Sequence, residues 1–132
     1  MFEGAAGGET FQGDGKVDIH LKISQGEVFL AELKFWTGPE SLRAVIRQLR
    51  GRLSWRDAYG VAVLLSRNVK FTEVMNAVRD TIAGCDGYVP GTLTRRAENH
   101  SCARFSITSD ASRLASLHVL VFNCTPTRQG SE

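Results

Sequence analysis

The chain lacks the features that most quickly declare a class. Its apolar runs are short and interrupted by charge, so none approaches the roughly 20 residues that span a bilayer, and no membrane partner is expected. Met1 is not followed by a basic stretch and then an apolar one, which argues against a secretory signal. The three cysteines, Cys85, Cys102 and Cys124, are odd in number, widely spaced and without a CxxC pair. They suggest neither a disulfide framework nor a zinc site, and idle thiols in a reducing cytoplasm are the expectation. A surplus of one charge is missing too. Sixteen basic against fourteen acidic side chains leave +2, so the total announces no nucleic-acid partner and the distribution of charge has to decide. There is no internal repeat and no low-complexity segment.

What is present suits one domain. A chain of 132 residues that is 42% hydrophobic can bury one core and is too short for two. The domain is expected to span residues 1–124, with "TPTRQGSE" at 125–132 as a frayed tail. "GETF" reads as a short strand and "QGDG" as a turn. Val17 to Ile23 alternates, and Glu27 to Phe35 follows after "SQG", which makes a hairpin.

Next, Thr37 with Glu40 three residues on fits a capping box, and Pro39 suits the first helical turn. Leu42, Val45, Ile46, Leu49 and Leu53 recur at helical spacing, predicting a helix to about Trp55. "AYGVAVLLS" then reads as a buried strand reached by a helical crossover, hence parallel to the one before it. Phe71, Val74, Val78 and Ile82 predict a second helix, stopped by Gly84. Strands at about Cys102 to Thr108 and Ala115 to Asn123 complete an α/β domain.

The hairpin holds a puzzle, because Asp18, Glu32 and Lys34 sit inside its strands, where a charge must be solvated, paired or bound to a metal. Side chains alternate across a strand, so Glu32 and Lys34 share a face and Leu33 takes the other. Pairing Ile23 with Glu27 across a three-residue loop sets Asp18 opposite Glu32. The same register gathers Val17, Ile19, Leu21, Phe29, Ala31 and Leu33 on one face, and leaves His20, Lys22, Val28 and Leu30 with the charges. A one-residue slip would mix both faces, so the pattern selects this register, and Gly26 stands where a three-residue loop wants glycine.

Two carboxylates directly across a strand pair lie about 5 Å apart at Cβ and repel. Either they are screened surface acids with Lys34 as a counter-ion, or a divalent cation is held by both and by the carbonyl of Leu33. Magnesium suits the second arrangement, with Lys34 placed to orient the attacking water or to offset charge on a phosphate.

Asp18, thirteen intervening residues, then Glu32-Leu33-Lys34, a helix bearing Gln48 and a buried strand: this order resembles the PD-(D/E)xK, restriction-endonuclease-like nuclease superfamily. "GETFQGDGKVDIHL", "FLAELKFWTGP", "QLRGRLSWRD" and "LLSRN" are similar to segments of bacterial restriction-like proteins, and with the final "LHVLVF" strand the likeness covers most of the chain.

The resemblance implies a mixed central sheet flanked by helices and Mg2+-dependent hydrolysis of phosphodiester bonds, with Mn2+ as a substitute. Asp18 and Glu32 would be metal ligands together with the Leu33 carbonyl, Lys34 would act on the attacking water, and Gln48 would help to organise the site or the substrate. DNA is the first expected substrate, cut endonucleolytically in bacterial defence or genome maintenance, with RNA also open. The competing expectation is a nucleic-acid-binding or assembly module that keeps the fold without turnover.

Three features depart from the family pattern. Val17 stands where the motif's name has proline, and Arg52 stands four residues after Gln48, where relatives often carry tyrosine. The family's first helix, which often carries an extra acidic residue, would precede Met1, so the chain reads either as a fragment or as a member whose first helix is supplied by a partner segment or a second copy. Arg43, Arg47 and Arg50 form a helical stripe, with Arg52 and Arg56 nearby, that reads either as a ridge holding the phosphate backbone against the acidic site or as a solvated face. Trp36 and Trp55 read as packing between helix and sheet or as stacking surfaces for bases. His20 shares the face of Asp18, and Glu9 could add an acid if its strand lies against the hairpin. His100 and His118 have no partner at ligand spacing and receive no role.

Overall fold

The computed structural model describes residues 2–11, 17–23, 28–53, 59–68 and 70–124, with side chains for 30–53, 60–68 and 70–124. Among the described residues seven strands and two helices follow one another: β1 (Phe2–Phe11), β2 (Val17–Ile23), β3 (Val28–Phe35), α1 (Pro39–Arg52), β4 (Tyr59–Ser66), α2 (Phe71–Ala83), β5 (Thr94–Ala97), β6 (His100–Ile107) and β7 (Asp110–Asn123). The strands form one sheet in the order β1-β2-β3-β4-β7-β6-β5. β3, β4 and β7 run parallel, and the strands on either side of this centre are antiparallel. The described residues thus form an α/β domain with a mixed sheet and two helices. No described helix is long and apolar enough to cross a membrane.

The parallel centre forms because β3 and β4 are joined by a helical crossover, as the apolar run of β4 predicts. Leu42, Val45, Ile46 and Leu49 on α1 and Val74, Val78 and Ile82 on α2 pack with Leu30, Leu64, Phe105, Leu117, Val119 and Val121 of the sheet into one core. Burying each such side chain contributes about 1.5–3 kcal/mol. Trp36 packs against this core, and its backbone N–H donates to the Leu65 carbonyl at 2.8 Å. It therefore serves packing.

Both helices cover the sheet face that carries Leu30 and Glu32. Leu30 pairs with Gly60 and Glu32 with Ala62, and their neighbours Ala62 and Leu64 belong to the core. The face of Ala31, Leu33, Val63 and Leu65, the more apolar one in sequence, is only half-buried. The charged face of the hairpin is thus the face beneath the helices. Its apolar content is supplied by β4, β6 and β7, so the hairpin alone did not reveal the burial.

Several local expectations are corrected. The capping box of Thr37 and Glu40 does not form: Gly38, at φ 124°, is the N-cap and no side chain caps the helix. Ser41 bridges the entry instead, accepting from the Thr37 N–H at 3.2 Å and donating to the Gly38 carbonyl at 2.6 Å, while Glu40 pairs with Arg43. Helix α1 ends at Arg52, with Leu53 already extended, so it stops short of Trp55, which lies outside the described residues along with Arg56. "GETF" is the end of a ten-residue strand, not a short one. β5, "TRRA", was not anticipated because all four residues are exposed and leave no apolar pattern. α2 ends as expected, with Gly84 as its C-cap. The turns at "QGDG" and Gly26, and the tail 125–132, lie outside the described residues.

Candidate functional site

The hairpin register is the one the alternation selects: Asp18 pairs with Glu32, His20 with Leu30 and Val17 with Leu33. Positions 18, 32 and 34 therefore share the helix-covered face of the sheet. Glu32 is 1% exposed and Lys34 is half-buried. β1 lies against the hairpin, with Thr10 paired to Asp18 and an irregularity between Gly7 and Thr10 that contains Glu9. The side chains of Asp18, His20 and Glu9 lie outside those described. Leu33 is paired on both sides, to Val17 and to Val63, which holds its backbone in the plane of the sheet between two ladders.

An ionised carboxylate held away from water is costly unless a cation meets it. Arg52, at the last turn of α1, places Nη1 3.3 Å from Glu32 Oε2, with its own side chain 37% exposed. A guanidinium at the solvent edge thus faces a carboxylate in the interior. Gln48 lies one turn earlier on the same side of α1 and is exposed.

The ridge of arginines is divided between two flanks of the helix. Arg50 donates from Nε to the Ser106 carbonyl at 2.7 Å and lies 3.3 Å from Ser106 Oγ through Nη2. Ser106 is on β6, three places from β3 in the sheet, or roughly 14 Å at ordinary strand spacing. Arg43, Arg47 and Arg50 line a cleft with the end of α2, whereas Arg52 is paired with Glu32. The stripe is thus divided, with Arg43, Arg47 and Arg50 toward α2 and β6 and Arg52 toward β3. Helical spacing showed the stripe but not the neighbour it would meet.

Sequence spacing missed a cluster on the opposite face. β6 and β7 bring His100 Nε2 within 2.9 Å of His118 Nδ1, and Cys102 Sγ within 3.7 Å of His118 Nε2. Eighteen residues separate the histidines in sequence, and only the antiparallel register joins them. Cys102 meets the far nitrogen of His118, so the three donors do not converge, and the described residues contain no group of three or more metal-ligating side chains. All three cysteines are free thiols. Burial pushes the Cys102 thiol up, more strongly than Arg96 and Arg104 draw it down.

Burial, then the charge of His100 and of Arg96, lowers the His118 pKa from the ordinary 6.5. The unfolded chain therefore binds the proton more readily, and stability rises with pH in the window just below 6.5. The contribution is fully present above 6.5 and is lost as pH falls through the folded value. Melting temperatures across pH 5–7.5 are expected to fall on the acid side in the wild type, and His118→Gln is expected to flatten that slope.

The fit of a divalent cation rests on the donor chemistry. Glu32 is a hard oxygen ligand at a buried position, paired in register with a second acid at position 18, with a lysine two residues along. Hard oxygen donors of this kind suit Mg2+ and Mn2+ rather than zinc. No family model, curated protein or solved structure matches the chain.

Proposed function

We propose that the chain is a metal-dependent nuclease of the restriction-endonuclease-like kind, hydrolysing phosphodiester bonds at the face shared by positions 18, 32 and 34. One observation carries this reading: Asp18 and Glu32 are direct cross-strand partners, and Glu32 is buried. A buried acid beside a second acid makes poor sense as surface charge, because each raises the cost of ionising the other. It makes good sense as a cation seat. Asp18, Glu32 and the Leu33 carbonyl would hold Mg2+, which when bound supplies electrostatic stabilisation of charge on the phosphate and a more acidic water.

The protein's own groups then have distinct tasks. Lys34, half-buried on the same face, is a compact cation with three donors. It orients the attacking water and offsets negative charge that grows on the phosphoryl oxygens. Gln48, exposed near the end of α1, presents an amide to the substrate. Arg52 balances Glu32 when no other cation does. DNA is the leading substrate.

Supercoiled plasmid, single-stranded DNA and RNA incubated with Mg2+, Mn2+ or EDTA test the reading. Cation-dependent product on at least one substrate is expected, with internal cuts in the plasmid. No cation-dependent product on any of the three would overturn it, and salt-sensitive binding without product would establish the binding module in its place.

A further inference from the structure

The flank of α1 that faces away from Glu32 carries a feature of its own. Arg43, Arg47 and Arg50 line a cleft of about 120 Å3, closed by Gly84, Cys85 and Asp86 at the end of α2. Arg50 is fixed in place by its two contacts with Ser106 and by Gly87. At φ 85° Gly87 occupies the left-handed region, and a Cβ there would stand 2.4 Å from the Arg50 guanidinium carbon. Glycine at position 87 is thus required twice, by the backbone and by the arginine lying on it. Arg43 is tethered by Glu40 at 2.6 Å, and Arg47 makes no hydrogen bond or ion pair among the described residues.

All three arginines border the same cleft. Cys85, which also lines the cleft, lies close enough that Arg43, Arg47 and Arg50 each favour its thiolate, although burial outweighs them and raises its pKa. Asp86 is the one acid among the lining residues, and with Glu40 paired to Arg43 from beside the cleft the three arginines still leave it net positive. Guanidinium groups present planar forks of donors that match phosphate oxygens. The cleft admits a phosphate with a few waters, and the residues around it include no aromatic on which a base could stack.

We infer that this cleft is a phosphate-binding site, distinct from the Glu32 face, that takes the terminal phosphomonoester of a nucleic-acid strand. A terminal phosphate carries up to two negative charges and an internal diester carries one, so three guanidiniums discriminate in favour of the end. That the phosphate belongs to a nucleic acid rests on the nuclease reading above; the anion site itself does not.

The test is binding in EDTA, where cleavage plays no part. Fluorescence anisotropy compares a 5′-phosphorylated oligonucleotide, its 3′-phosphorylated counterpart and the same strand with hydroxyl ends, at fixed ionic strength, while 31P NMR follows inorganic phosphate. At least one phosphorylated strand is expected to bind about tenfold more tightly than the hydroxyl-ended one. Arg43→Ala/Arg47→Ala is expected to abolish the difference, and Asp86→Asn to widen it. Both changes are at the surface, and melting curves confirm folding. Equal affinity for all three strands overturns the strand-end assignment. If inorganic phosphate then still binds and the double variant abolishes it, a free phosphate compound is the ligand; if it does not bind, there is no anion site. Failure of the nuclease reading shows separately, as an absence of cation-dependent product in the cleavage assay.

Discussion

Exchanging Glu32 for glutamine is expected to lower cation-dependent cleavage about 10³-fold while leaving the chain folded. Glutamine keeps the shape of the side chain and removes only the charge that a divalent cation would use. Its amide is tolerated because Arg52, which faces it, is 37% exposed and reaches solvent. Asp18→Asn is expected to act in the same way, since the two positions face each other across the hairpin. Lys34→Ala is expected to cost about 10²–10³ in rate, the usual scale for removing one group that stabilises charge in the transition state. The three variants differ in where the loss falls. Glu32→Gln and Asp18→Asn lose affinity for the cation, whereas Lys34→Ala keeps that affinity and loses turnover. Initial rates of plasmid cleavage across a Mg2+ titration separate them. Equal rates in Lys34→Ala and wild type would remove Lys34 from the chemistry.

Arg52→Ala is expected to destabilise the fold by about 2–3 kcal/mol, with part of the loss recovered on adding a divalent cation. Removing one member of a fully buried ion pair typically costs about 3–5 kcal/mol, because the other is left charged in the interior. Here Glu32 is buried but Arg52 reaches solvent, so water moderates the penalty. A cation that replaces the guanidinium stabilises the folded state by mass action, about 2.7 kcal/mol at a concentration a hundred times its dissociation constant. Mg2+ is therefore expected to raise the melting temperature of Arg52→Ala more than that of the wild type. A thermodynamic cycle with Glu32→Gln is expected to show coupling; additive losses would mean that the contact between these residues carries no energy.

Much of this arrangement was legible in the hairpin. Strand side chains repeat every two residues, so the apolar set Val17, Ile19, Leu21, Ala31 and Leu33 could share a face in only one register, and that register opposes Asp18 to Glu32. The helices were legible from Leu42, Val45, Ile46 and Leu49 and from Val74, Val78 and Ile82, which now form the core. Long-range juxtaposition was not. Leu30 and Glu32 lie under the helices because β4, β7 and β6 supply the rest of that face, which no pattern within residues 17–35 encodes. The His100–His118 contact depends on the β6–β7 register. Arg50 and Arg52 are two positions apart on one helix, yet one reaches β6 and the other β3. Charge spacing showed how the arginines are arranged along α1, and only the packed sheet shows where each of them is spent. Local chemistry at Gly38 and Ser41 also replaced the capping box, since glycine at φ 124° sets the entry angle without a side-chain cap.

The measurement closest to the central claim is a Mn2+ titration followed by electron paramagnetic resonance, with wild type, Glu32→Gln, Asp18→Asn and Lys34→Ala in parallel. Saturable Mn2+ binding is predicted for the wild type and Lys34→Ala and its loss for both carboxylate variants. Mn2+ binding of equal strength in all four proteins, or none in the wild type, would contradict a cation seat between Asp18 and Glu32.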